Sequence, residues 1–234
     1  MMSDSGELRT KRAADLALLR ADVEACRRCA IGYTRTNAVC GVGDPCSPLM
    51  VVGEGPGERE DLQAEPFVGR AGELLTKMLG AIGLARHDVF ITNTIKSRAI
   101  QEENGKRYNR APSPLEMENC REYLNRELAI VAPQVILALG SPAGKSFLGR
   151  AFSITRQRGI WYAGPNGAAL MVTFHPAYIL RQTGGNMTAV KRLVWADLLA
   201  VRQKLDEIAR TRAAEADALG VQAAGYEALE LDLR

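Results

Sequence analysis

Leu49-Met50-Val51-Val52-Gly53-Glu54-Gly55-Pro56-Gly57 is the stretch that decides the fold. Its apolar run is too short for a helix and has no polar face, as a strand buried on both sides requires. The run breaks into glycines set around Glu54 and Pro56, where a backbone can approach a ligand closely and present N–H groups. Similar runs recur at Val89-Phe90-Ile91-Thr92, Val135-Ile136-Leu137-Ala138-Leu139 and Leu170-Met171-Val172-Thr173. Helical segments separate them. One covers about 72–82, one opens with the capped start Ser113-Pro114-Leu115-Glu116, one opens with Ser141-Pro142, and a long last one covers about 188–210. An amphipathic helix over about 11–27, with Leu16, Leu19, Val23 and Cys26 at helical spacing, precedes them. Strands alternating with helices predict a three-layer α/β domain, its mostly parallel sheet covered on both faces. Residues 1–210 are expected to form that domain; 211–234, Ala-rich with scattered acids, are expected to be a tail, either a frayed helix or a loose end.

In such sheets ligands bind outside the carboxyl ends of the strands. The first strand runs into the glycine loop, the second into Asn93, the fourth into His175, and the third ends at Gly140-Ser141. Loop, amide and imidazole are therefore expected to meet in one crevice. Phe67 stands between Pro66 and Val68-Gly69, outside any periodic run, which predicts a ring more exposed than a core Phe and available to stack on a base, worth about 1–3 kcal/mol. The alternative is a lid residue packed on the core. Asn93 can donate and accept at once, so it can pair with a base edge; the alternative is a turn-forming Asn. Of the two histidines, His87 lies in a polar stretch and reads as a surface residue, whereas His175 follows an apolar strand and precedes Pro176.

The 234 residues carry a net charge of +3 with a pI near 8.6, too mild to establish or exclude a basic groove. No run of about 18 apolar residues predicts a membrane span, and Met1 to Arg12 lacks an apolar signal core. A cytoplasmic, monomeric protein is the expectation. Five cysteines, an odd number, argue against a disulfide framework, while Cys26-Arg27-Arg28-Cys29 has the spacing that turns two thiolates toward one metal centre. The glycine loop lacks a P-loop lysine, and Glu58, Glu60 and Asp61 would repel a triphosphate, which disfavours a nucleotide-using enzyme.

Gly53-Glu54-Gly55-Pro56-Gly57, Pro66-Phe67-Val68-Gly69-Arg70-Ala71-Gly72, Thr92-Asn93-(two residues)-Lys96, Cys120 and His175-Pro176-Ala177-Tyr178, in that order, resemble the iron–sulfur family 4 type of uracil-DNA glycosylase. The resemblance covers about residues 26–197 and implies a four-stranded parallel sheet with helices on both faces. It implies that uracil in DNA is the substrate, flipped from the stack and held by Gly53, Glu54, Gly55, Phe67, Asn93 and His175. His175 is then the donor to uracil O2 in the transition state and Asn93 the reader of the O4/N3 edge. Glu54 has three candidate roles: orienting water, stabilising the cationic sugar, or bracing the loop. Ile179-Leu180-Arg181 would wedge into the gap left by the base, with Arg181 on a phosphate.

The resemblance also implies a [4Fe–4S] cluster. Cys26, Cys29 and Cys120 match its ligands, but Ser97 stands where the fourth cysteine belongs. Three explanations compete: Ser97 ligates through oxygen, Cys40 or Cys46 replaces it, or the cluster is incomplete or absent. The related family X type has a histidine there and a basic insert ending in a nucleophilic histidine. The insert here reads Gly105-Lys106-Arg107-Tyr108-Asn109-Arg110, with Asn109 in the nucleophile's place. An amide is a poor nucleophile, so no covalent adduct is expected. Lys106, Arg107 and Arg110 are candidates for gripping phosphates, against the plainer reading of a solvated loop. A hydrolytic glycosylase is the leading expectation; a non-catalytic or weakly catalytic uracil-DNA binder is the alternative.

Overall fold

The computed structural model describes residues 4–231. Its main sheet contains β1 (Val42–Gly43), β2 (Leu49–Gly53), β3 (Phe90–Asn93), β6 (Val135–Leu139), β7 (Trp161–Ala163) and β8 (Ala169–Thr173), in the order β1-β3-β2-β6-β8-β7. The inner four strands are the four apolar runs, and every pairing among them is parallel. The expected four-stranded parallel sheet is corrected at its margins: β1 and β7 pair antiparallel with the outer strands, giving six strands and a mixed sheet. Two and three residues long, these edge strands are too short to show a period in sequence. They cover edges that would otherwise expose unpaired backbone groups.

Alternation along each inner strand feeds two cores. Leu49, Val51, Ile91, Leu137 and Met171 face α4 (Arg70–Ala81) and α9 (Gly184–Leu231). Met50, Val52, Phe90, Ile136 and Val172 face α5 (Pro114–Val131) and α6 (Gly140–Leu148). The layers are thus helix, sheet, helix. α1 (Asp4–Ala25) lies on α5, with Leu19 and Val23 against Tyr123. The capped start at Ser113 is realised: its hydroxyl accepts from Glu116 N and the Glu116 carboxylate accepts from Ser113 N. The last helix exceeds its expected length and runs to Leu231; residues 232–234 of the expected tail lie outside the described residues. No helix among the described residues is long and apolar enough to cross a membrane.

Chain order within the parallel strands reverses at β2, which has the next parallel strand, β3, on one side and the following one, β6, on the other. The crevice outside the carboxyl ends of β2 and β6 is the topological switch point at which ligands bind in such sheets.

Candidate active site

A cavity of about 590 Å³ opens at that switch point. Glu54 and Gly55 line it after β2, Asn93 and Ile95 after β3, Gly140 and Ser141 after β6, and His175 after β8, so the expected convergence is present. Phe67, Glu60, Asn109, Tyr178 and Arg181 also line it.

The glycine loop is fixed to the end of β3. Thr94 N donates to Gly53 O at 2.9 Å, Ile95 N to Glu54 O at 3.2 Å, and the Thr94 hydroxyl to Glu54 O at 2.5 Å. Gly53 has to be glycine, because a Cβ there would collide with Asn93 Oδ1 and the Phe67 ring. Asn93 is 2% exposed, and no described protein group hydrogen-bonds its side-chain amide, which lines the cavity. The amide opens into the cavity rather than being sealed in the core, so its donor and acceptor are available to a ligand there. Its backbone carbonyl accepts from Lys96 Nζ at 2.7 Å, a contact the sequence did not assign.

Phe67 corrects an expectation: it is 6% exposed, not open to solvent. The ring packs beside the His175 imidazole, centroids 5.7 Å apart and planes 26° apart. Its backbone is left-handed, φ +57°, a conformation that costs a bulky residue about 1–3 kcal/mol and persists only where the surroundings over-determine it. Glu60, on α3 (Glu58–Gln63), accepts from Val68 N (3.1 Å) and Gly69 N (2.9 Å) with one oxygen and from Gly57 N (3.1 Å) with the other. From sequence Glu60 counts only as one of three acids that disfavour a triphosphate; its position three residues after Gly57, at the third place of a helix, is the cue that identifies it as a cap.

His175 caps α8 (Pro176–Leu180), and its Nδ1 accepts from Ala177 N at 3.0 Å. The proton of the neutral ring therefore sits on Nε2. Burial lowers the imidazole pKa to about 4, Arg181 pushes in the same direction and Glu60 opposes them. At neutral pH His175 is thus an uncharged N–H donor. Burial raises the Glu54 carboxyl above the ordinary glutamate range.

The insert forms a hairpin of β4 (Ile100–Glu103) and β5 (Lys106–Asn109) turning at Asn104-Gly105, both with positive φ. Asn109, at its base, reaches the cavity, and its Oδ1 accepts from Arg98 Nε at 2.6 Å. Lys106 and Arg107 are exposed, and Arg107 lies 4.0 Å from Glu102. Arg110 is engaged elsewhere: its guanidinium forks onto both Glu116 oxygens at 2.6 and 2.7 Å. Arg181 is exposed at the cavity rim. Ile179 is 2% exposed and packed in the core, so of the expected wedge only Leu180 and Arg181 reach the surface.

Cys29 and Cys120 pack in one small apolar cluster with Ile31 and Ile95, and Cys26 lies at the neighbouring one. Burial pushes the Cys120 thiol pKa up; the Lys96 N–H bonded to it and the Lys96 charge oppose, and Cys29 and Cys26 raise it further. Ser97 is buried, and its hydroxyl accepts from Arg35 Nη1 at 2.9 Å while Arg35 Nη2 donates to Cys26 O at 3.3 Å. Ser97 is thereby held beside the cysteine pair. Cys40 is buried in the apolar cluster against which Cys26 packs, and burial raises its pKa to about 11. Cys46 is at the opposite end of the sheet, its N–H on Asp44. Among the described residues no three ligating side chains surround a single metal ion. An iron–sulfur cluster spreads its thiolates over several irons, and the donors here, three cysteines in two small apolar clusters and the buried Ser97 hydroxyl, are of types that such a cluster accepts.

Residues 40–199 match the family model described as the uracil DNA glycosylase superfamily. The chain is 40% identical to a type-4 uracil-DNA glycosylase of Thermotoga maritima, over 75% of this chain and 87% of that protein. It is 41% identical to that of Archaeoglobus fulgidus, over 68% of this chain and 80% of the relative, and 40% identical to that of Sulfurisphaera tokodaii, over 70% and 76%.

Proposed function

The chain belongs to the uracil-DNA glycosylase superfamily, and from that premise we propose that it excises uracil from DNA by hydrolysis of the N-glycosidic bond, leaving an abasic site. The observation that carries this reading is the Asn93 amide, which opens into the same cavity as a neutral His175. A base reaches such a pocket only after leaving the stack.

Asn93 accepts from uracil N3–H and donates to O4, a pattern that cytosine reverses. As the bond from C1′ to N1 breaks, its electron pair leaves with uracil and negative charge gathers on O2. The Nε2–H of His175 stabilises that charge; because the ring is already neutral, it does so as a hydrogen-bond donor. Phe67 lies along the base face. Positive charge grows on the sugar, and Glu54 is the carboxylate available to offset it and to orient the water that attacks C1′. Asn109 stands in the insert as an amide held by Arg98, so the reaction proceeds without a covalent enzyme adduct. Leu180 follows the extruded base, and Arg181, Lys106 and Arg107 meet phosphates.

Cys26, Cys29 and Cys120, with Ser97 at the fourth corner, would hold the [4Fe–4S] cluster. When bound it supplies a covalent cross-link between the α1 end, the β3 end and α5 rather than bond-breaking chemistry.

The test is turnover. DNA carrying one uracil, in excess over protein, is incubated and treated with alkali. Strand scission beyond one equivalent supports the glycosylase, and stoichiometric binding without scission overturns it in favour of a uracil-DNA binder.

A further inference from the structure

The geometry points to Glu60 as a positioning residue that sets the distance between the glycine loop and the Phe67 ring, and hence the width of the slot for the base. The inference rests on the reading of this cavity as a uracil site. Three backbone N–H groups converge on one carboxylate: Gly57 from the loop after β2, and Val68 and Gly69 from the segment that enters α4. No other described side chain hydrogen-bonds both segments. Phe67 directly precedes the two clamped amides and holds a left-handed backbone. Behind it, a Cβ on Gly72 would collide with the Phe67 carbonyl, so the loop is already pressed against α4. A strained aromatic held from both sides keeps one position, and Glu60 supplies the side nearer the cavity.

Charge and acceptor number both matter. A glutamine has a single acceptor oxygen. If that oxygen keeps Val68 and Gly69, its NH2 faces the Gly57 N–H, donor against donor, and one segment is released. A Cβ on Gly57 would lie 2.8 Å from Glu60 Oε2, so the carboxylate is seated against bare backbone, with no slack for the extra hydrogens of an amide. Glu60 need not touch uracil to act: groups that hold a reacting pair in place cost about 10²-fold when a shift of 1 Å is allowed.

The experiment is a double-mutant cycle on uracil excision with Glu60→Gln, Phe67→Ala and the pair, read as kcat/KM, beside hydrogen exchange of the Gly57, Val68 and Gly69 amides. Glu60→Gln is expected to lower kcat/KM by about 10²-fold, to lose amide protection in one of the two segments, at Gly57 if the remaining oxygen keeps Val68 and Gly69, and to add little to the loss caused by Phe67→Ala. A general loss of stability would instead multiply with Phe67→Ala, as the core variant Val201→Ala should. Excision by Glu60→Gln equal to wild type, losses that multiply, or unchanged protection in both segments overturns the inference. If Glu60→Gln does not fold, Glu60→Asp replaces it in the same cycle, since it keeps the charge but cannot span both segments. A wild-type protein that fails to release uracil sinks the uracil reading itself, whereas an active wild type with an additive cycle sinks only the role of Glu60.

Discussion

Lys96 Nζ lies 2.7 Å from Glu127 Oε2, with the two side chains 1% and 2% exposed. The same ammonium donates to the Thr92 hydroxyl and to the Asn93 carbonyl, each at 2.7 Å, and the other Glu127 oxygen accepts from Gly41 N at 2.9 Å. One buried ion pair thus fixes the strand end that presents Asn93 against the helix that presents Cys120. Removing one partner leaves the other charge buried and unpaired. Glu127→Gln is expected to destabilise the fold by about 3–5 kcal/mol, and Lys96→Met with Glu127→Leu to recover most of that loss, as measured by urea denaturation.

Asn93→Ala is expected to reduce uracil release by at least about 10⁴-fold with little change in the melting temperature, because the lost amide serves the ligand and not the core. Single-turnover excision checks it. Unchanged activity would remove Asn93 as the base reader.

Two groups set the pH response, and their signs are opposite to those of ordinary surface residues. His175 is neutral in the fold down to about pH 4, whereas the unfolded chain protonates it near the usual 6.5. The unfolded state binds more protons between these values, so stability falls as pH is lowered from about 6.5 to about 4. His175→Gln should flatten that part of the melting-temperature profile. Glu54, its pKa raised by burial, places the acid limb of kcat/KM above the ordinary glutamate range, and Glu54→Gln should abolish that limb along with most of the activity.

Iron in the purified protein is the check on the cysteine site. An anaerobically prepared sample is expected to be brown, with cluster iron that Cys120→Ala removes, while Cys46→Ala, at the far end of the sheet, leaves the iron content unchanged. Chelation should lower the melting temperature, since the cluster binds only the folded chain. A colourless, iron-free protein would end this part of the account.

Salt dependence separates the basic residues. Arg181→Ala and Arg107→Ala should each reduce the slope of log affinity for DNA against log salt by about 1. Arg110→Ala should leave that slope unchanged and lower stability instead, because it strands Glu116, whose pKa is held below the usual range first by Arg110. Equal slopes for Arg110→Ala and Arg107→Ala would refute the distinction.

The sequence determined the four inner strands, their parallel arrangement and the meeting of Gly53, Asn93 and His175, because these follow from short apolar runs and from the rule that strand ends share one edge. It also determined the chemistry available there: an amide, an imidazole and a glycine-rich backbone. It did not give the edge strands β1 and β7, which are too short to carry a period, nor the burial of Phe67 and Ile179, which depends on what packs over them. Only the tertiary structure decided which nitrogen of His175 carries its proton, that Arg110 is committed to Glu116, and that Glu60 spans two segments. Each of these depends on hydrogen bonds between groups whose mutual placement no local pattern specifies. Residue types are written along the chain, but the partner that fixes a proton or satisfies a charge is chosen by packing.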